Sequence, residues 1–186
     1  MADFPIPRPT SGDIVDVIID DHRTLESLLR DLRNSSLDRD AARKAFAALL
    51  IAHGEAEEEA VYPKFKRGTD QIGEHEAEHG TEEHAEGNQA LLELLEAKGT
   101  DTQKYDDAAE KLSAYVYHHL VEEELTILNP AREELPEKAR MEIGAAFLAA
   151  RSRHLDADCG RIENVRTVVN RAQKDGLISE ELPEKP

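Results

Sequence analysis

A chain of 186 residues has the size of one domain and can bury one substantial hydrophobic core. Its formal net charge of −17 argues against nucleic acid as a partner, because such binding depends on Lys and Arg side chains that neutralise phosphates. Cations are the expected partners instead. The single cysteine, Cys159, excludes an internal disulfide and an iron–sulfur cluster, so any metal must be bound through nitrogen and oxygen atoms.

The amino terminus predicts neither export nor membrane insertion. No stretch approaches the roughly 18 consecutive apolar residues of a membrane-spanning helix, and no basic segment is followed by an apolar run. We therefore expect a cytoplasmic protein without a membrane partner. Residues 1–11 are rich in proline and predict a flexible lead.

The first two helices are predicted from apolar residues at helical spacing. The first begins near residues 11–13 and is broken at residues 34–36, where Asn and Ser cluster. The second begins at about Asp38. Each carries a histidine, His22 or His53, inside an otherwise apolar stripe.

Two further helices complete the predicted fold. The third is polar and rich in Glu and His at its start, apolar at its end, and stops at Lys98 and Gly99. The fourth runs from about Thr102 to about Glu134. Short connections imply antiparallel neighbours, so residues 12–134 are predicted to form an all-α, antiparallel up-and-down four-helix bundle.

Residues 135–178 predict a C-terminal helical extension that is broken near His154 or Gly160. Residues 179–186 are expected to be a disordered tail. Apolar side chains of the extension would either cap the bundle or pair two subunits, so we expect a monomer or a homodimer formed through the C-terminal helices. These side chains are Phe147, Leu148, Ile162, Val165 and Val169.

Two helices contain, inside an otherwise apolar stripe, a histidine and a glutamate four residues apart, which places both side chains on one helix face. They are His53 with Glu57 in the second helix and His119 with Glu123 in the fourth. Together with His22 they would form a buried ligand group of the kind found in di-iron bundles. Without a metal, such a core would contain polar groups without partners. Nitrogen and oxygen ligands suit iron, manganese or zinc, and two glutamates able to bridge favour iron.

The ligand from the third helix is open at this stage. His84 is favoured because it lies in phase with the apolar end of the helix, whereas His75 and His79 form a rival pair four residues apart. His79 and His84 lie about 140° apart on a regular helix, so both could bind only with a local distortion such as a π-bulge.

The fourth helix has a second possible pair. His118 and Glu122 are also four residues apart, and they are rotated by about 100° from His119 and Glu123. The stripe that contains His119 and Glu123 is the more apolar one, which favours that pair. Most glutamates of the acidic runs 55–59 and 74–86 are expected on solvated helix faces.

These motifs resemble the hemerythrin-like, or HHE cation-binding, family of bacterial type. The resemblance covers about residues 12–134 and rests on His22, HxxxEE followed by Tyr62-Pro63, Glu83-His84, and HxxxEE before Pro130. It implies two non-haem iron ions with an oxo or hydroxo bridge, two bridging carboxylates and an open position on one iron. By motif, the metal ligands are His22, His53, Glu57, His84, His119 and Glu123.

Two features depart from the oxygen-carrying members of that family. Those members have two histidines four residues apart in the third helix and an aspartate in the fourth, where this sequence has His84 and Glu123. A respiratory oxygen carrier is therefore not favoured. Pro130 also lies one residue farther from its HxxxE pair than Pro63 does.

The resemblance implies a protein that binds or turns over a small oxidant or diatomic, namely O2, NO or H2O2. Catalase-like disproportionation of peroxide would be its enzymatic form. The alternative is an iron-handling protein, or a redox or oxygen sensor that signals through the C-terminal helices. Three glycines near the ligands, Gly54, Gly80 and Gly87, would allow a channel for small molecules.

Overall fold

The structure, a computed structural model, describes residues 4–70, 72–179 and 182. All regular structure in these ranges is helical, and they contain no strand, which confirms the predicted all-α class. The helices are α1 (Ile14–Leu32), α2 (Arg39–Ala60), α3 (Tyr62–Gly68), α4 (Glu74–Glu96), α5 (Gln103–Glu123), a π-helical segment (Glu124–Leu128), α6 (Asn129–Glu134), α7 (Glu137–Asp156) and α8 (Ile162–Lys174).

Side-chain caps explain where three bundle helices begin. The carboxylates of Asp13 and Asp38 accept hydrogen bonds from backbone N–H groups in the first turns of α1 and α2. The Thr102 hydroxyl does the same for α5. Each cap satisfies a donor that has no partner within the helix, so these residues fix the helix starts.

Helices α1, α2, α4 and α5 pack as the predicted antiparallel bundle, each against its neighbours. Their apolar residues form two clusters, separated along every helix by a layer of His and acidic residues. The chain passes from one cluster to the other in α1, back in α2, across again in α4 and back in α5. The polar layer therefore lies at the same depth in all four helices.

The fourth bundle helix is irregular just beyond the polar layer. Its π-helical segment, Glu124–Leu128, contains one wide turn in which the N–H of Asn129 donates to the carbonyl of Glu124. A π turn takes one residue more than an α turn. This extra residue accounts for the longer spacing between the HxxxE pair and Pro130 in the sequence.

The predicted C-terminal helical extension is confirmed as α7 and α8. Helix α7 packs against α1 and α2, and α8 packs against α4. Phe147 and Leu148 are buried beside the first turns of α1, while Val165 and Val169 are buried in the other apolar cluster. The extension therefore caps the bundle of its own chain, and the homodimer stays a prediction.

The chain between α7 and α8 approaches α2 closely. A Cβ atom at Gly160 would lie 2.4 Å from the backbone nitrogen of Ala48, so only glycine fits this contact. The predicted break near His154 or Gly160 agrees with the loop between Asp156 and Ile162.

The amino-terminal lead contacts the folded domain where the structure describes it. Phe4 and Ile6 pack against an apolar cluster, and the carbonyl of Pro7 accepts a hydrogen bond from Arg151. The proposed domain boundaries stay predictions, and the tail 179–186 lies outside the described residues except for Ser179 and Leu182. Among the helices described, none has an apolar stretch sufficient to cross a bilayer.

We predict that Cys159 is nearly unreactive in the native protein. Its side chain is buried, its Sγ lies 3.4 Å from the carbonyl of Ala48, and burial raises the pKa of the thiol to about 11. The lower thiolate fraction alone should slow alkylation by iodoacetamide about 100-fold relative to the denatured chain. Equal rates in native and denatured protein, measured by mass spectrometry, would contradict this prediction.

Candidate metal centre

The polar layer of the bundle brings together all six residues that the motifs select. Their side chains are buried and come from all four bundle helices. They are His22 on α1, His53 and Glu57 on α2, His84 on α4, and His119 and Glu123 on α5. The alternative candidates His75, His79, His118 and Glu122 lie outside this layer, and the choice of ligands stays a prediction.

One half of this layer is a group of four ligand atoms that lie within 4.8 Å of one another, from His22, His53, Glu57 and Glu123. Nε2 of His22 is 3.2 Å from Oε2 of Glu123. Nε2 of His53 is 3.2 Å from Oε2 of Glu57. Two imidazoles and two carboxylates around one space match the ligand set of a divalent or trivalent ion.

The other half contains Glu57, His84 and His119, whose ligand atoms also lie within 4.8 Å of one another. Oε2 of Glu57 is 3.2 Å from Nε2 of His84, and Oε2 of Glu123 is 3.8 Å from Nε2 of His119. Glu57 therefore belongs to both groups, and Glu123 faces histidines of both. This arrangement suits two neighbouring ions that share carboxylates.

The hydrogen bonding of the layer supports metal ions at its centre. Nε2 of His84 and Nε2 of His119 face each other at 3.1 Å. Two neutral imidazoles can place at most one proton between these two nitrogens, and a second proton would charge one of the rings. Five other buried atoms in the layer have no hydrogen-bond partner, at a cost of about 1–3 kcal/mol each. These are Nε2 of His22, Nε2 of His53, Oε1 and Oε2 of Glu57, and Oε2 of Glu123.

The opposite nitrogen of each histidine is fixed by a carboxylate. A carboxylate only accepts, so Nδ1 carries the proton and Nε2 presents its lone pair to the centre. The acceptors are Glu124 for His22 at 2.9 Å, Asp21 for His53 at 3.2 Å, Glu58 for His84 at 3.0 Å and Glu83 for His119 at 3.1 Å. All four imidazoles are thereby oriented for binding through Nε2.

The carboxylates also change the acidity of the imidazoles. Burial lowers the pKa of His22, but Glu123 and Glu124 outweigh burial and raise it to about 9. Burial likewise opposes protonation of His84, and the nearby carboxylates of Glu57 and Glu58 outweigh burial and raise the pKa of His84 well above its ordinary value. Because a ligand must lose the Nε2 proton, metal binding here should release protons and strengthen as the pH rises toward 9.

The carboxylate that supports His53 is itself held by the C-terminal extension. The guanidinium of Arg151 is buried and donates twice to Asp21, from Nε at 2.6 Å and from Nη2 at 2.7 Å. Burial raises the pKa of Asp21, but His53 and Arg151 outweigh burial and keep it below its usual value. Phe147 adds an edge-to-face contact with His53, so α7 reaches the layer at two points.

Tyr62 provides a hydroxyl group beside the centre. Its O–H donates to Oε1 of Glu123 at 3.0 Å, and its ring stacks on that of His84. Burial and the charge of Glu123 raise the pKa of Tyr62 well above its ordinary value. The side chain therefore stays a neutral hydrogen-bond donor.

Two of the three glycines permit close packing where a channel was predicted. A Cβ atom at Gly54 would lie 3.3 Å from the ring of His84, and one at Gly80 would lie 2.8 Å from the hydroxyl oxygen of Tyr62. A larger side chain therefore does not fit at either position, and the channel stays a prediction. A cavity of about 10 Å³ does lie beside Gly54 and Gly87, in contact with His53, His84 and His119.

The supporting roles of the carboxylates around the layer and of Arg151 are not predicted from the sequence. Glu58 and Glu83 belong to acidic runs expected mainly on solvated faces, Glu124 occurs in the second HxxxEE motif without a role of its own, and Asp21 belongs to no motif. Each of these carboxylates is adjacent in sequence to a residue of the layer. The dipeptides Asp-His, Glu-His and Glu-Glu are therefore the local sequence feature that indicates them. Arg151 has no comparable signal, because it lies 130 residues from Asp21.

Fold and polar layer together define a cation-binding four-helix bundle. The family model of the hemerythrin HHE cation-binding domain matches residues 13–131, and the chain belongs to this family. It is 29% identical over 143 residues to a DNA nickase of Nostoc sp., with 75% of this chain and 39% of the relative aligned. It is 27% identical over 137 residues to an uncharacterised hemerythrin-like protein of Schizosaccharomyces pombe, with 72% and 66% aligned.

The chain thus spans about two fifths of the Nostoc relative and about two thirds of the yeast relative. No solved structure shows a significant match to it.

We predict that Arg151→Met weakens the metal centre from the outside. Removing the guanidinium leaves Asp21 buried without its cation, which should cost about 3–5 kcal/mol of folding free energy. Weaker support of His53 should lower the affinity for Zn²⁺ by about 10–100-fold. Thermal unfolding and competition with a chelator measure these effects.

The matched control is Arg153→Met on the same helix as Arg151, which removes an exposed guanidinium that pairs with Glu59 of α2. It should leave both quantities close to those of the wild type, because exposed ion pairs contribute about 1 kcal/mol or less. Unchanged Zn²⁺ affinity in Arg151→Met would contradict a supporting role for Arg151.

Proposed function

We propose that this chain binds two non-haem iron ions, joined by an oxo or hydroxo bridge, and binds or turns over a small oxidant or diatomic such as O2, NO or H2O2. The observation that carries the proposal is the sharing of Glu57 by the two ligand groups. A shared carboxylate suits a pair of ions better than two independent ones. Membership in a cation-binding family supports metal binding as such.

The chemistry of the donors favours iron. Four imidazoles and two carboxylates, without a thiolate, suit metals of intermediate hardness. In the proposed assignment, His22 and His53 would bind one ion, and His84 and His119 would bind the other. Glu57 and Glu123 would be shared by the two ions. When bound, the pair would supply a redox couple and an open coordination position.

The surroundings of the layer support a small reactant. The cavity of about 10 Å³ beside His53 and His119 holds about one water-sized molecule. Its other lining residues are partly apolar, among them Leu50 and Val116, and partly polar, namely Glu83 and Asn88. Two apolar clusters above and below the layer keep bulk water away. The space suits a reactant close to water in size, and a larger organic substrate does not fit.

Tyr62 is placed to act on a bound reactant. Its hydroxyl lies 3.0 Å from Oε1 of Glu123 and 3.4 Å from Nε2 of His84. The hydroxyl has one proton, and by turning it from Glu123 it can donate a hydrogen bond to an oxygen or nitrogen atom of the reactant. We propose this role for Tyr62 and not that of a metal ligand.

A second candidate function is an iron-handling protein or a redox or oxygen sensor. The contact between Arg151 and Asp21, which continues to His53, favours it because it joins the layer to α7. A change in the position of His53 would be transmitted to α7 through Asp21 and Arg151. The DNA nickase activity named for the Nostoc relative is not carried over, since the net charge of −17 opposes binding to phosphates.

The first test is the metal content of the purified protein, with its ultraviolet–visible spectrum before and after peroxide. About two irons per chain are expected, together with charge-transfer bands that respond to peroxide. Glu57→Ala, His84→Ala and His119→Ala should each lose metal, because each removes a proposed ligand. His75→Ala is the control and should keep it, since His75 is exposed and outside the layer.

Zinc in place of iron, or a folded protein without metal, would overturn the di-iron proposal. Evolution of oxygen from peroxide would identify turnover, whereas a stable spectral change with NO alone would identify binding. For the sensor, limited proteolysis of α7 should differ between the oxidised and reduced protein.

Tyr62→Phe separates a role in reactivity from a role in metal binding. The variant should keep its iron, while losing one hydrogen bond to the reactant should change the rate of peroxide decomposition or NO release about three- to tenfold. Iron analysis and stopped-flow spectroscopy measure the two effects. Loss of iron from this variant would show instead that the hydroxyl positions Glu123 or His84.

A further inference from the structure

Two of the four histidines that the centre does not use, His79 and His118, lie together at the outer edge of α4 and α5. Nε2 of His118 is 3.2 Å from Oε1 of Glu83 and 3.3 Å from Oε2 of Glu122. Nε2 of His79 is 3.7 Å from Oε1 of Glu83 and 3.9 Å from Oε1 of Glu122. Two imidazoles and two carboxylates from two helices thus face one another, and we call these four residues the rim cluster.

The residues of the rim cluster differ in exposure in a way that suits a site open to solvent. The side chains of His79, His118 and Glu122 are about two-fifths to one-half exposed, whereas that of Glu83 is 4% exposed. Glu83 presents Oε1 to both rim histidines and accepts from Nδ1 of His119 at Oε2. One buried carboxylate therefore contacts the rim cluster and the metal centre at the same time.

A cavity of about 110 Å³ lies beside the rim cluster. Its lining includes His79, Glu83 and Glu122, and on its inner side Glu123 of the centre. Thr126 of the π-helical segment forms part of the wall. The volume is enough for a cation that keeps some of its water molecules.

We propose that His79, Glu83 and Glu122, with His118 as a fourth ligand, bind one divalent first-row transition-metal ion, such as Zn²⁺ or Fe²⁺, at the rim. The ligand atoms of the first three residues lie within 4.8 Å of one another. Mixed imidazole and carboxylate donors suit these metals. The strongly negative chain attracts cations to such a surface.

Ion pairing alone does not explain the convergence of these four residues. An exposed His–Glu pair contributes about 1 kcal/mol or less, and it does not require a second pair beside it. His154 with Glu59 is such an isolated pair, at 3.6 Å, and His154 belongs to no ligand group among the described residues. In the rim cluster, both carboxylates are instead shared by both histidines.

The rim site does not depend on the inner centre for its ligands. Its proposed ion would lie next to Glu83, whose other oxygen supports His119. An ion at the rim would therefore alter the charge next to His119, a proposed ligand of the inner centre. None of the six proposed inner ligands is a proposed ligand of the rim ion. Binding at the two places can be measured separately.

The test is a titration of the iron-loaded protein with Zn²⁺, after dialysis against a chelator to remove loosely bound metal. One Zn²⁺ per chain should bind in addition to the inner iron, and the NMR signals of His79 and His118 should shift as it binds. His79→Ala and Glu122→Gln should each weaken this binding about tenfold or more, since even the outer partners of metal ligands have effects of that size. Glu83 is left unchanged because it also supports His119.

Two controls complete the design. His154→Ala should leave the additional binding as in the wild type. His22→Ala, which removes a proposed inner ligand, should still bind Zn²⁺ at the rim, so that failure of the di-iron proposal and failure of the rim site give different results. The rim site is overturned if no additional Zn²⁺ binds, or if His79→Ala and Glu122→Gln both bind it with unchanged affinity.

Discussion

A buried imidazole must have both of its nitrogens satisfied, and this requirement governs the arrangement of the whole bundle. Each layer histidine donates its Nδ1 proton to a carboxylate on another helix. The carboxylate comes in turn from the neighbouring helix: α1 supports α2, α2 supports α4, α4 supports α5, and the π-helical segment that continues α5 supports α1. The four hydrogen bonds form a closed ring, so a helix cannot slide along its axis without breaking two of them.

The ring also shows that the two halves of the bundle repeat one pattern. In the first half, Asp21-His22 is followed by His53 and by Glu57-Glu58. In the second half, Glu83-His84 is followed by the same arrangement, from His119 to Glu123-Glu124. The first glutamate of each pair faces the centre, and the second holds a histidine of the next helix. Equivalent chemistry on opposite sides explains why the centre offers two similar positions.

The sequence was sufficient for the bundle, its extension and the residues that line the layer, because helical spacing and HxxxE pairs are local signals. Phase with neighbouring apolar residues separated His84 from His79. The carboxylates that accept the Nδ1 protons were not predicted. A glutamate that supports a histidine of the next helix lies on the same part of its own helix as a glutamate that faces water, so helical periodicity does not separate the two. The π-helical segment was not predicted either. The spacing between the HxxxE pair and Pro130, which is one residue longer than that before Pro63, is the sequence feature that corresponds to it. Arg151 could not be found locally, since its contact with Asp21 joins distant parts of the chain.

The distance in sequence between Asp21 and Arg151 has a consequence for biosynthesis. All four histidines of the layer leave the ribosome before Arg151 does, so a nascent chain can assemble the bundle while Asp21 still lacks its cation. In that interval, Asp21 lacks the two hydrogen bonds that Arg151 donates to it in the complete fold. The carboxylate that supports His53 is therefore less firmly held until α7 has been synthesised. The carboxyl-terminal part of the chain thus completes the support of the layer after all of the layer's own residues have been synthesised.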